Sequence, residues 1–177
     1  DMLLPGLDSK GVPKNLKDSI VTFEYGDIKN FKKIINKYKI GIVKMEFSRN
    51  YKPDLKFLRA IRKITKEKKI ILIFDECTSG FREIFGGLHL KYKIYPDMAM
   101  FGKALGNGYA VNAIIGKRNI MASADDTFIS STFWTERIGS TAALATLKEM
   151  KRIHSWKIIC KKGIMIKKKL EKDIQKI

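Results

Sequence analysis

Cysteine is nearly absent from this sequence. Cys77 and Cys160 are the only two in 177 residues, too few for a disulfide framework, and such sparse use fits a reducing compartment and a cytoplasmic location. Histidine is as rare: His89 and His154 stand alone, without the spacing that metal ligands require, so no metal site is expected. No uncharged apolar run reaches the roughly 18 residues that a membrane-spanning helix needs. No signal peptide is visible, and no internal repeat or low-complexity linker divides the chain. Because it opens on Asp1 rather than Met, the chain is expected to begin inside a longer protein.

Arginine is also scarce. The net charge of +18 comes from 36 basic residues, of which only seven are Arg. A surplus of that size points to a polyanionic partner. Lysine without arginine, however, gives poor phosphate forks and poor base readout. Many lysines, such as Lys63, Lys66, Lys68 and Lys69, fall on the polar face of an expected helix. A solvated Lys-rich surface is therefore the main reading, and a basic nucleic-acid-binding domain is the lesser alternative.

What is present is an alternation of strands and helices. Turn formers crowd residues 1–19. Ile20–Tyr25 (IVTFEY) reads as a short strand. Asp27 can cap a helix over Ile28–Lys39, where apolar residues recur at helical spacing. Ile40–Phe47 (IGIVKMEF) is the next strand, ending at Glu46. Pro53 and Asp54 open a second helix, with proline at its first position. Ile70–Phe74 (IILIF) is a continuous apolar run that suits a strand buried on both faces. Met98–Phe101 and Val111–Gly116 read as further strands, Arg118–Ala124 as a short helix, and Phe128–Trp134 as an extended loop or edge strand. Ile138–Met150 is Ala- and Leu-rich enough for a buried helix, and a basic amphipathic helix runs from His154 to the end. This alternation predicts a three-layer αβα domain with a mostly parallel sheet.

Chemistry concentrates between Phe74 and Gly108. Asp75 ends the IILIF run. Lys103 follows Gly102 at the end of another strand, 28 residues later. Ligands of open α/β sheets bind outside the carboxyl ends of the strands, where both residues fall. A lysine there can join a cofactor aldehyde as a Schiff base, and a carboxylate there can hold a pyridinium N–H. Spacing alone leaves other readings open, with Asp75 as a turn or helix cap and Lys103 as a surface residue. Cys77 lacks a neighbouring His–Asn pair, so a small buried residue is expected rather than a thiol nucleophile. GKALGNG lacks the Gly-Lys-Ser/Thr ending of a phosphate-binding P-loop.

Taken together, FDECTSGFRE, PDMAMFGKALGNG, the upstream KMEFSRN and the downstream SSTFWTERIGSTAALATL resemble the class III pyridoxal-phosphate (PLP) aminotransferases, in the branch of glutamate-1-semialdehyde aminomutase. The motifs occur in the family's order over about residues 20–150. The resemblance implies the PLP-dependent transferase fold of aspartate aminotransferase type (fold type I). It also implies PLP as cofactor, a small amino or keto substrate, and a homodimer with a shared active site. Lys103 would form the Schiff base and move the substrate proton, and Asp75 would pair with the pyridine nitrogen. Cys77 stands where the family usually has Val against the ring. Thr132, with Ser131 beside it, would reach the cofactor phosphate of the neighbouring subunit. Glu46 would lie on the substrate side, and Arg82 matches a structural Arg of the Gly-Phe-Arg turn, for which a salt bridge to a neighbouring carboxylate is the expected contact on the residue's own chemistry. The family's main phosphate-binding turn and ring-stacking aromatic precede the matched region, and its small domain follows it. Residues 1–150 would thus be an incomplete large domain, and residues 151–177 the helix that leads towards the small domain. A truncated or degenerate non-catalytic module with the same fold is the alternative within this resemblance.

Overall fold

A computed structural model describes residues 11, 13–16, 19–49, 52–129 and 136–174. Two compact units result, residues 1–40 and 41–177. In the first, Asp27 accepts the Asn30 N–H at 2.8 Å and so caps α1 (Ile28–Lys37), satisfying a donor that the first helical turn leaves free. The strand expected over Ile20–Tyr25 does not form. A strand needs a ladder partner, and none of the described residues of this unit supplies one. Phe23 instead packs edge-on against Phe31, with ring centroids 5.1 Å apart.

The second unit is built on a four-stranded sheet in the order β1 (Ile42–Glu46), β2 (Ile71–Asp75), β3 (Met98–Phe101) and β4 (Ala113–Gly116). The first three strands run parallel, and β4 returns antiparallel to β3. The mixed, mostly parallel α/β sheet is as expected. Side chains alternate across a strand. One face, with Val43, Met45, Leu72, Phe74, Ala99 and Phe101, is buried. The other, with Ile42, Lys44, Glu46, Ile71, Ile73 and Asp75, is half-buried or exposed. Burial on both faces of the IILIF run is therefore corrected to burial on one.

Helix α2 (Leu55–Glu67) buries Phe57, Leu58, Ile61 and Thr65. Its cap is Asp54, which accepts the Phe57 N–H at 3.0 Å. Pro53 thus lies before the cap rather than at the first helical position, where it still cannot waste a donor. Under the sheet, Phe47 meets Phe74 edge-on at 5.1 Å and stacks on Tyr92 at 5.7 Å. Tyr92 belongs to the short helix α3 (Leu88–Tyr92), which periodicity did not reveal. After α4 (Arg118–Met121) comes α5 (Ile138–Ile153). Only Gly139 and Ala143 of α5 are buried, so the buried helix expected there is half-exposed instead. His154 turns left-handed at φ 51° and separates α5 from α6 (Ser155–Ile174), which has no buried residue.

One buried carboxylate ties this sheet together at the amino end of β3. Asp97 accepts the Leu72 N–H at 2.9 Å, Arg62 at 2.8 Å and Lys117 at 2.6 Å. Burial alone would push its carboxyl up, but Lys117, the Leu72 N–H and Arg62 outweigh burial and hold it below the ordinary 3.8. A depressed pKa stabilises the fold above the unfolded value, and that stability is lost as pH falls through the folded value. Asp97→Asn is expected to cost roughly 2 kcal/mol at neutral pH, the scale of charge-assisted hydrogen bonds. In urea titrations the gap from wild type should narrow once the pH falls below 3.8.

Candidate active site

Parallel pairing brings two strand ends side by side. Asp75 sits opposite Met100 in the register, and the Glu76 N–H bonds the Met100 carbonyl at 2.8 Å. The chain after β2 and the chain after β3 therefore leave the same edge of the sheet. Gly102 follows β3, and Lys103 opens a 3-10 turn, Lys103–Leu105, at φ 46°. The Lys103 ammonium donates to Thr78 Oγ1 at 2.7 Å, so a residue three positions beyond Asp75 receives it.

Gly102 permits a close approach here. A Cβ at this position would stand 2.3 Å from Asn112 Oδ1 and 3.3 Å from Cys77 Sγ. Cys77 thus lies against the strand end that presents Lys103. Burial pushes its thiol up, and the neighbouring Asp75 carboxylate adds to this, with Lys103 and Lys44 pulling the other way. The thiol accordingly stays protonated at neutral pH, as a small half-buried side chain rather than a nucleophile.

Asp75 is held at both oxygens. Oδ1 accepts the Cys77 N–H at 3.1 Å, and Oδ2 pairs with the Lys44 ammonium at 3.0 Å. Burial raises its carboxyl, but the Lys44 bond and the Cys77 N–H lower it further, leaving it below 3.8. Glu46 is the register partner of Asp75 on β1. Its Oε1 accepts from Arg49 at 3.2 Å, while its buried Oε2 has no hydrogen-bond partner among the described residues. One sheet edge thus carries an ionised carboxylate, a primary amine and a second carboxylate. These groups can hold a protonated ring nitrogen, add to an aldehyde and receive a polar substrate group.

Asp75, Cys77, Lys103 and Glu46 are therefore gathered at this edge. Ser131 and Thr132 lie outside the described residues. Arg82 differs from expectation: its Nε donates to the Thr78 carbonyl at 2.9 Å, and no carboxylate pairs with it among the described residues. Four residues after Thr78, it closes the turn through the backbone instead. Sequence reasoning passed over three residues. Lys44 had a visible signal, a charge inside an apolar strand. Glu76 directly follows Asp75, and that second carboxylate at the strand end was its signal. Thr78 had no signal, because its hydroxyl meets Lys103 only through folding. Among the described residues no cluster of His, Cys, Asp and Glu could hold a metal, and no helix is long and apolar enough to cross a membrane.

The sequence model of a family described as aminotransferase class-III matches residues 50–177. The chain is 32% identical over 174 residues to the 3-aminobutyryl-CoA aminotransferase of Cloacimonas acidaminovorans, covering 93% of this chain and 42% of that protein. It is 35% identical over 151 residues to the glutamate-1-semialdehyde 2,1-aminomutase of Nitrosopumilus maritimus, covering 81% and 35%. Among solved structures, the PLP internal aldimine form of the FumI protein of Sphingopyxis sp. MTA144 matches with a TM-score of 0.63. That match is 27% identical and covers 70% of this chain and 31% of that one. The chain spans less than half the length of the curated relatives it matches.

Proposed function

This chain belongs to the class-III aminotransferase family, and from that premise we propose that it carries the cofactor lysine and ring-nitrogen partner of a PLP-dependent aminotransferase or aminomutase. The observation that supports this most is the placement of Asp75 and Lys103 at adjacent carboxyl ends of parallel strands, with Cys77 against Gly102. The donor set fits pyridoxal phosphate. An ionised carboxylate suits a protonated ring nitrogen, a primary amine suits an aldehyde, and a small thiol can lie beside a flat ring. When bound, this cofactor supplies an electron sink for a carbanion at the substrate carbon.

Each residue then has a task. Asp75 holds the ring N–H through its free lone pairs and keeps the proton on the ring. The Lys103 Nζ would be the amine that holds the cofactor aldehyde, and when free it would be the base for the proton on the substrate carbon. Thr78 receives that amine at 2.7 Å. Glu46, with its unpartnered Oε2, receives the substrate's polar end. Thr132 and Ser131 would contact the phosphate held by the second subunit of a homodimer. Residues 1–150 would be part of the large domain, and residues 151–177 would lead towards a small one. A reducing, cytoplasmic setting accords with two unpaired cysteines. Transfer within one molecule or between two depends on parts of the site beyond this edge.

An absorbance scan with added PLP tests the assignment. Wild type is expected to develop a band in the visible to near-ultraviolet range, and borohydride should fix the cofactor covalently at Lys103. Lys103→Ala should show neither. No band with wild type, or an undiminished band in Lys103→Ala, would overturn the role of Lys103.

A further inference from the structure

One cation at this edge has no task in the reaction just described. Lys44 lies in β1, two residues before Glu46 and on the same sheet face. Its register partner is Ile73, two residues before Asp75 on the same face of β2. The face is otherwise apolar along its length, with Ile42, Ile71, Ile73 and Met100. At its carboxyl end the register sets Glu46 directly beside Asp75. Like charges opposite one another on neighbouring strands repel, so this pair would favour the loss of one charge unless a cation stands near. The Lys44 side chain, 54% exposed, runs along the strand and places its ammonium 3.0 Å from Asp75 Oδ2. Arg49 serves Glu46 in the same way at 3.2 Å.

We propose that Lys44 is a positioning residue of the cofactor site: its ammonium counters the Glu46–Asp75 pair and keeps Asp75 charged and aimed along the sheet edge. This rests on the function proposed above for its meaning, but not for its test. Lys44 from β1 and the Cys77 thiol and N–H from the turn after β2 act on Asp75, Glu46 is its register neighbour on β1, and Lys103 from the turn after β3 acts on the adjoining Cys77. Of these, Lys44 alone forms an ion pair with Asp75 among the described residues. Lys103 is engaged by Thr78. The carboxylate that would meet a ring nitrogen is therefore held in place, with its carboxyl below the ordinary 3.8, by a cation on a neighbouring strand.

The test needs no cofactor. Carbon-13 NMR of the Asp carboxyls follows each titration, and Asp75→Asn identifies the resonance. Removing an opposite charge at hydrogen-bond distance raises a carboxyl by about one pH unit. The Asp75 midpoint should therefore rise by about one unit in Lys44→Met and return in Lys44→Arg, with the thermal midpoint of Lys44→Met at neutral pH lowered by no more than the few degrees that this shift carries by linkage. A purely structural role would move the thermal midpoint and leave the titration in place. An Asp75 midpoint unmoved in Lys44→Met, or raised equally in Lys44→Arg, would overturn the proposal. Failure of the aldehyde reading at Lys103 would show in the absorbance scan alone, so the two outcomes are separable.

Discussion

Glu76→Ala should be among the most destabilising single substitutions in this protein, costing about 3–5 kcal/mol, the range for removing one partner of a buried charge network. Glu76 is fully buried. Its Oε1 accepts the His89 N–H at 3.0 Å and faces His89 Nδ1 at 2.8 Å. Its Oε2 accepts the Ser79 hydroxyl. Burial pushes the carboxyl up, yet the His89 ring, Ser79 and the backbone N–H groups of His89 and Leu88 bring it below 4.5. Gly87 leaves room for this network, since a Cβ there would fall 2.4 Å from the His89 ring and 3.0 Å from Glu76 Oε1. Truncation strands several buried donors at once, which costs more than the bonds were worth in exchange with water. Glu76→Gln keeps the shape and an acceptor, so it should lose about half as much. Urea denaturation at neutral pH measures both. The depressed carboxyl makes the stabilisation complete above 4.5 and lost as pH falls below it, so the difference from wild type should shrink in acid.

The same network explains what could and could not be read in advance. The placement of Asp75 and Lys103 was legible because each lies at or just past the end of a strand whose apolar run is continuous in sequence, and strand ends are where such sheets bind ligands. The ordered motifs around them carried the family, which the match over residues 50–177 bears out. Asp27 was legible as a cap because capping acts within three residues. The residues passed over share one cause, contacts that are distant in sequence. The His89–Glu76 bond spans 13 residues, and Lys103–Thr78 spans 25. Ile20–Tyr25 has strand composition but no ladder, because β-propensity describes a fit to neighbours rather than a property of the segment. The Ala-rich run of α5 was read as buried, yet Ile138 and Leu144 are more than half exposed. Composition carries no record of which face a partner covers.

Under the proposed function, Asp75→Asn is expected to lower amino-transfer turnover by about 10²–10³-fold, the loss typical of removing one preorganised electrostatic contact to a reacting system. The expected loss comes from charge rather than shape. An asparagine carbonyl can still accept the Cys77 N–H that Asp75 receives at 3.1 Å, so the turn after β2 should keep its conformation. The Lys44 pair is lost, but Lys44 is largely exposed, and exposed pairs add little stability. The thermal midpoint should therefore stay within a few degrees of wild type. A neutral amide, however, would not keep a proton on a ring nitrogen, so the electron sink that the cofactor would supply would be weaker. Lys103 is untouched by the change, and Thr78 still holds its amine at 2.7 Å. The PLP absorbance band should accordingly persist in Asp75→Asn and vanish in Lys103→Ala. Single-turnover measurement with an amino donor, followed as loss of that band, separates the two. A wild-type rate in Asp75→Asn would remove Asp75 from the site, whereas loss of the band together with the rate would mean that the carboxylate governs cofactor capture instead of the proton step.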